Sequence, residues 1–259
     1  YMIKITDRDV ILFRYLFENG FLTRNQIGKY IFETKKYHIA RLRKLKENGF
    51  VKFPTNVLAR GTYIQATKKA LYYLKSKVGK KKLKNGRRNQ KFEPFYINPK
   101  NYRVEDEIKL HKFEHDKELN ELRFKLENIG ANSWITGDMI YRFKIHKKTP
   151  DGVFHSENSK FALELEKTLK TKSRYKKIFK KYVKEKGIDY VLYIAQGESL
   201  YKSLMKKLNS KFIGFSNSYS SNKSYSKFYI AKYSDIKRGN YTFYNDTIGE
   251  KIDLRNELN

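Results

Sequence analysis

Cysteine is absent from the chain. That removes any disulfide framework and any thiolate metal site, and it fits a cytoplasmic protein. No apolar run approaches the roughly 18 residues of a membrane-spanning helix, and the stretch YMIKITDRDV carries no signal-peptide h-region. Tryptophan occurs once, and acids are scarce: 27 Asp and Glu stand against 57 Lys and Arg, a formal net charge of +30. Self-repulsion of that size opposes compaction, so a polyanionic partner is expected, either nucleic acid or an anionic membrane surface. A basic amphipathic membrane helix would leave the strand-rich half of the chain unexplained, which favours nucleic acid and no membrane. What is abundant is aromatic and aliphatic material. Of 259 residues, 39% are hydrophobic, with 21 Tyr and 18 Phe, enough for a core in one large or two modest domains.

The first third reads as helices punctuated by caps. Thr6 is an N-cap followed by Asp7 and Asp9; Val10, Leu12, Phe13, Leu16 and Phe17 form an apolar face; Gly20 ends it. Thr23 starts a second helix with Gln26 at the capping-box position. A third helix is expected from Lys35 to Glu47, with Ile39, Leu42 and Leu45 on one stripe and Lys36, Arg41, Arg43, Lys44 and Lys46 over much of the rest; Lys35, Lys36, Arg41, Arg43 and Lys44 are its candidate DNA contacts. Phe50–Phe53 and Thr62–Ile64 read as two strands around Arg60-Gly61, and Thr67 caps a fourth helix. Helix, helix, basic helix, hairpin, helix is the winged helix-turn-helix order. In that arrangement the third helix enters the major groove and Arg60 meets phosphate or the minor groove. A three-helix bundle with a solvated basic face is the competing reading. The following GKKKLKNGRRNQK, with Lys81, Arg87 and Arg88, reads as a backbone-touching linker or as a passive spacer. The expected division is a DNA-binding domain over 1–78, a linker over 79–100 and a second domain over 101–259.

The second domain is expected to begin with a long helix from Val104 to Asn128 that carries His111 and His115 on its buried stripe. An i,i+4 histidine pair could hold a metal, but no third ligand is adjacent, so hydrogen-bonded core histidines fit better. Glu114, Glu118 and Glu121 flank that stripe, and Glu121 is the one expected to lean toward a site. Strands are expected at Met139–Ile145, Gly152–His155 and Phe161–Glu166, then a basic helix Leu169–Lys186 with Arg174 as a DNA contact, then the buried strand DYVLYIA. A further helix (Glu198–Leu208) and strands near Phe212–Phe215, Phe228–Lys232 and Tyr241–Tyr244 follow, with Ser216–Ser226 a loop. In FALELE, alternation puts Ala162, Glu164 and Glu166 on one face.

Helix, three strands, helix, strand is the core order of the PD-(D/E)xK nuclease fold, and Pro150-Asp151 followed by Glu164-Leu165-Glu166 resembles its motif. The expected class is thus α+β or α/β, a winged helix-turn-helix domain followed by an αβββαβ domain. Asp151 and Glu164 on neighbouring strands could share Mg²⁺ or Mn²⁺ with Glu121, since hard cations take oxygen ligands. Such a metal would polarise a phosphate and lower the pKa of a bound water. Glu166 stands where the pattern has lysine, and Lys170 or Lys172 on the next helix could supply the missing cation; Lys172 is taken as the candidate. Two solvated strand glutamates and a turn aspartate are the bland alternative.

Together, GFLTRNQIGKYIF, IARLRKLKENGFVKF, TYIQATKKALYYL and PDG…KFALELEKT…Y (with Tyr182) resemble the replication-relaxation family of plasmids and mobile elements, over most of residues 7–195. The resemblance implies a double-stranded-DNA-binding protein with a nuclease-like domain, acting at an origin. Three functions stay open: an origin binder that nicks DNA with Mg²⁺, a non-catalytic initiator or regulator using the nuclease fold as scaffold, and a relaxase or recombinase with a tyrosine nucleophile. The last calls for closely spaced histidines such as His-x-His, which His38, His111, His115, His146 and His155 do not supply, or for an Arg/His set around a Tyr. A palindromic site would suggest a homodimer, though no heptad or interface stripe is evident.

Overall fold

The computed structural model describes residues 3–34, 36–55, 62–81, 108–144, 146, 148–208, 227–246 and 248–258, with 77–81 and 143 described by backbone alone. It is a mixed α and β protein of two compact units, Tyr1–Phe124 and Lys125–Asn259. Among the described residues no helix is long and apolar enough to cross a membrane.

The first unit opens with α1 (Asp7–Asn19). Thr6 and Asp9 form a reciprocal capping box, with the Thr6 N–H 2.7 Å from the Asp9 carboxylate. Gly20, at φ 78°, ends the helix in a conformation that side chains disfavour. β1 (Leu22–Thr23) leads into α2, a turn at Arg24–Gln26 that continues as a π-helix over Ile27–Phe32. Thr23 and Gln26 form the second capping box, at 3.0 Å in both directions. Then come α3 (Tyr37–Glu47), β2 (Val51–Lys52), β3 (Tyr63–Ala66) and α4 (Lys68–Lys81). The expected pair of strands is in fact a three-stranded sheet: β1 and β2 both pair antiparallel with β3 between them. The Thr67 hydroxyl donates to the carbonyls of Gly49 (2.6 Å) and Phe50 (3.1 Å), tying the start of α4 to β2. Leu12, Phe13, Leu16, Ile27, Leu42, Leu45, Phe50 and Ile64 make the core, and Phe13 stacks on Phe50 at 5.5 Å. Burial of each such side chain is worth about 1.5–3 kcal/mol.

Two expectations change here. Ile39 is exposed, and the inward stripe of α3 is His38, Leu42 and Leu45. The reason is Gly28: a Cβ there would lie 2.6 Å from the His38 ring, so α2 and α3 approach closely enough for the imidazole to fill the glycine gap. The first unit also extends past residue 78, taking in the first turns of α5 (Phe113–Glu127). Phe113 stacks on Phe21 at 5.2 Å, Phe124 stacks on Tyr30 at 4.7 Å, and the Asn120 amide donates to the Phe21 carbonyl at 2.9 Å. Arg123, fully buried, pairs with Glu18. The histidines lie off this apolar surface: His111 is exposed ahead of the helix and His115 is half-buried.

The second unit is built on a seven-stranded sheet in the order β10-β9-β8-β7-β6-β5-β4. Its elements run β4 (Asn132–Thr136), α6 (Gly137–Phe143), β5 (Gly152–His155), β6 (Lys160–Glu166), α7 (Lys172–Val183), β7 (Tyr190–Ala195) and α8 (Glu198–Leu208). β8 (Phe228–Lys232), α9 (Tyr233–Lys237), β9 (Thr242–Asn245), β10 (Glu250–Asp253) and α10 (Leu254–Leu258) complete it. β6, β7 and β8 are parallel, and the flanking pairs are antiparallel. The expected strand at Met139–Ile145 is not one: residues 137–143 are helical, and the strand lies earlier, in NSWIT. Phe212–Phe215 and Ser216–Ser226 lie outside the described residues.

One face of the sheet carries an aromatic ladder across five successive strands. Trp134, Phe154, Phe161 and Tyr190 stack at centroid spacings of 5.5, 5.0 and 5.0 Å, and Tyr229 meets Tyr190 at 5.9 Å. Gly152 leaves room for it, since a Cβ would stand 2.5 Å from the Trp134 ring. Because β6 alternates, seating Phe161 on the ladder sends Glu164 and Glu166 to the opposite face, under α7.

Candidate functional site

Asp151 sits one position before β5, held by main-chain and side-chain hydrogen bonds. Its N–H donates to Leu163 O (3.0 Å), its carbonyl accepts from Gly137 N (2.8 Å), and its carboxylate accepts from Leu165 N (2.8 Å). Gly137 permits this approach: a Cβ there would be 2.4 Å from Pro150 O. Gly152 opposes Leu163 in the antiparallel register, so Asp151, one step back, opposes Glu164 on the same face. Glu164 in turn neighbours Tyr193 in the parallel register. The row Asp151, Glu164, Tyr193 therefore crosses β5, β6 and β7, with Glu166 two residues further along β6.

α7 roofs this row. Thr171 caps it, its hydroxyl accepting from Arg174 N at 3.3 Å, and Tyr175, Phe179 and Tyr182 form the buried stripe. Tyr182 donates to Glu164, and Phe179 meets Tyr193 edge-on at 5.9 Å. Lys148 Nζ reaches Glu164 Oε1 at 2.7 Å, and Lys170 pairs with Glu166. Both glutamates are buried. Burial pushes the Glu164 carboxyl above its usual range, against the pull of Lys148, and the nearby Asp151 charge adds to the rise. Burial likewise holds the Tyr175, Tyr182 and Tyr193 phenols well above their ordinary range. The buried Tyr193 hydroxyl finds no hydrogen-bond partner among the described residues.

The structure brings together Asp151, Glu164 and Glu166. Glu121 belongs to the first unit, where it accepts from Tyr30 and, at 3.3 Å, from Lys29. Among the described residues no group of three or more His, Asp or Glu side chains converges as a metal cage. Asp151 and Glu164 are the adjacent carboxylates that could offer oxygen to a hard cation. Lys172 is exposed at the start of α7, and Lys170 pairs with Glu166. Lys148 and Tyr193 went unnoticed in the sequence. Tyr193 could have been found by aligning DYVLYIA with FALELE as parallel neighbours; Lys148, three positions before Asp151, carries no local signal.

Of the expected DNA contacts, Lys36, Arg43 and Lys44 are exposed on α3, and Arg174 is exposed on α7 beside Lys172, Lys176, Lys177, Lys180 and Lys181. Arg41 stands apart from these. Its guanidinium is engaged internally, with Nε 3.0 Å from Asp9 Oδ1 and Nη2 2.7 Å from Lys4 O, because α1 presents a buried carboxylate to it. Lys35, Arg60, Arg87, Arg88 and the Lys81 side chain lie outside the described residues. No family model, curated protein or solved structure matches the chain.

Proposed function

We propose that the chain is a double-stranded-DNA-binding protein of a plasmid or mobile element, acting at an origin, whose second unit carries a metal-dependent DNA-nicking site. In this reading the first unit is a winged helix-turn-helix module with α3 as its recognition helix, and the second carries the β4, β5, β6, α7 and β7 part of a PD-(D/E)xK-like core with α6 inserted, most of the preceding helix α5 belonging to the first unit. The juxtaposition of Asp151 and Glu164 on adjacent strands carries it, because two carboxylates on one face of a cationic unit are what a divalent ion and a phosphodiester would need. Mg²⁺ or Mn²⁺ held by Asp151 and Glu164 would polarise the phosphate and lower the pKa of a bound water. The net charge of +30 and the exposed cations of α3 and α7 support the DNA partner.

Lys148 and Lys170 favour a second reading. Each already neutralises one glutamate, so the acids also read as internally compensated charges in a non-catalytic initiator or regulator. A supercoiled plasmid carrying a site that the protein selects from random duplexes separates the two. Conversion to open circle only with Mg²⁺ or Mn²⁺, and its loss in Asp151→Ala, supports the enzyme. A gel shift without conversion supports the scaffold.

A further inference from the structure

We propose that Tyr37, Ile39 and Ala40, on the first turn of α3, read thymine methyl groups, so that the duplex this protein prefers is defined by A·T pairs under that turn. The inference rests on the DNA-binding reading above and adds the base that is read.

The burial of His38, Leu42 and Leu45 sets the rotation of α3. At roughly 100° per residue, Ala40 then stands nearly opposite the buried stripe, with Tyr37 and Ile39 to either side. All three are exposed; Tyr37 is 56% and Ile39 39% exposed, too open to be core residues. Tyr37 is also steadied from behind, its ring 6.3 Å from Phe32. Single exposed apolar residues need no explanation. Here, however, three occupy one turn of a helix whose exposed positions otherwise carry Arg43, Lys44 and Lys46, with Lys36 at its N-cap and Glu47 at its far end.

Charge selects the occupant. A face rimmed by Lys36, Arg43 and Lys44 fits a polyanion, and phosphate oxygens offer nothing to Ile39 or Ala40. The apolar group that base pairs display in the major groove is the thymine C5-methyl. Recognition helices contact bases chiefly through their N-terminal residues, which is where this apolar turn lies, one turn ahead of Arg43 and Lys44. Ala40, with its short side chain, lets the backbone approach.

The full chain is used to select duplexes from a random library, and the best is compared by fluorescence anisotropy with its copy in which every thymine is deoxyuridine. That change removes the methyl and keeps every hydrogen-bonding group. Wild type should bind the deoxyuridine copy about fourfold more weakly per methyl contacted. Ile39→Ala should discriminate less between the two, while Arg43→Ala should weaken both and keep the ratio. Equal wild-type affinity for the two duplexes overturns the inference and leaves DNA binding standing, as does an enriched site without shared thymines. Absence of salt-dependent binding to any duplex overturns the DNA-binding reading and this one with it.

Discussion

Tyr182, on the buried stripe of α7, donates its hydroxyl to Glu164 on β6 and so ties the roof of the acid row to its floor. Glu164 is buried and its carboxyl already titrates above the usual range; the Tyr182 bond and Lys148 pull the other way. Tyr182→Phe removes a donor from a buried carboxylate, at about 1–3 kcal/mol, and moves the Glu164 midpoint further up. A carboxyl whose folded pKa is raised holds its proton more tightly folded than unfolded, so its contribution to stability is lost as pH rises through the folded value. Carboxyl carbon NMR titration in metal-free buffer, alongside urea unfolding, checks both effects. An unmoved midpoint would show that the hydroxyl does not tune this acid.

Gly28 and His38 make the second prediction. A Cβ at 28 would stand 2.6–2.9 Å from three atoms of the imidazole, which is itself held by Thr34 O at 3.0 Å. Gly28→Ala should therefore destabilise the first unit by about 1–3 kcal/mol, as overpacking does. In the double variant with His38→Ala the two costs should be less than additive. Additive losses in denaturant unfolding would mean that the ring moves aside freely.

These two contacts mark where local reading stops. Thr6, Thr23 with Gln26, and Gly20 were legible because a cap is decided within four residues. FALELE and DYVLYIA were legible because alternation and a continuous apolar run are strand signatures that their partners on either side only reinforce. Residues 137–143 misled because Met139, Tyr141 and Phe143 alternate, yet Gly137 is held against Asp151 O, and the strand direction is already used up in NSWIT. Ile39 misled because period alone gives a stripe but not which stripe; the glycine gap on α2 chose His38. Asp151 and Glu164 could be suspected as neighbours from spacing. That Lys148 and Tyr182 would meet Glu164, and Lys170 meet Glu166, depends on the path of the 144–150 segment and on the pose of α7, which no local pattern encodes.

Asp9 and Arg41 form a pair that charge counting would assign to DNA. The Asp9 side chain is fully buried and that of Arg41 is 10% exposed. Asp9→Ala strands the guanidinium and removes half of the α1 capping box; the loss expected from breaking a buried pair is about 3–5 kcal/mol. Arg41→Ala should register chiefly as lost stability, with the salt slope of DNA binding unchanged. Lys44→Ala should do the reverse, shifting stability by no more than about 0.5 kcal/mol and reducing the slope by about one. Thermal unfolding paired with binding across a salt series distinguishes them. A reduced slope in Arg41→Ala, without a stability loss, would return that residue to the interface.

At the other end of β5 from Asp151, His155 pairs in register with Lys160, and His146 Nδ1 stands 3.6 Å from Glu185. Burial and the Lys160 charge push both imidazoles below their ordinary range; Glu185 pulls His146 upward, while Asp189 does the same for His155 and His146 adds to its lowering. The unfolded chain therefore binds protons that the folded unit refuses, so stability is full above about pH 6.5 and falls as pH drops toward the folded values. Between pH 7 and pH 5 the second unit should lose stability, and His146→Gln with His155→Gln should flatten that loss. Hydrogen exchange of the β5 and β6 amides against pH reads this unit separately from the first. If the double variant loses stability as steeply as wild type, the acid sensitivity resides in other groups and these histidines titrate alike in the folded and unfolded chain.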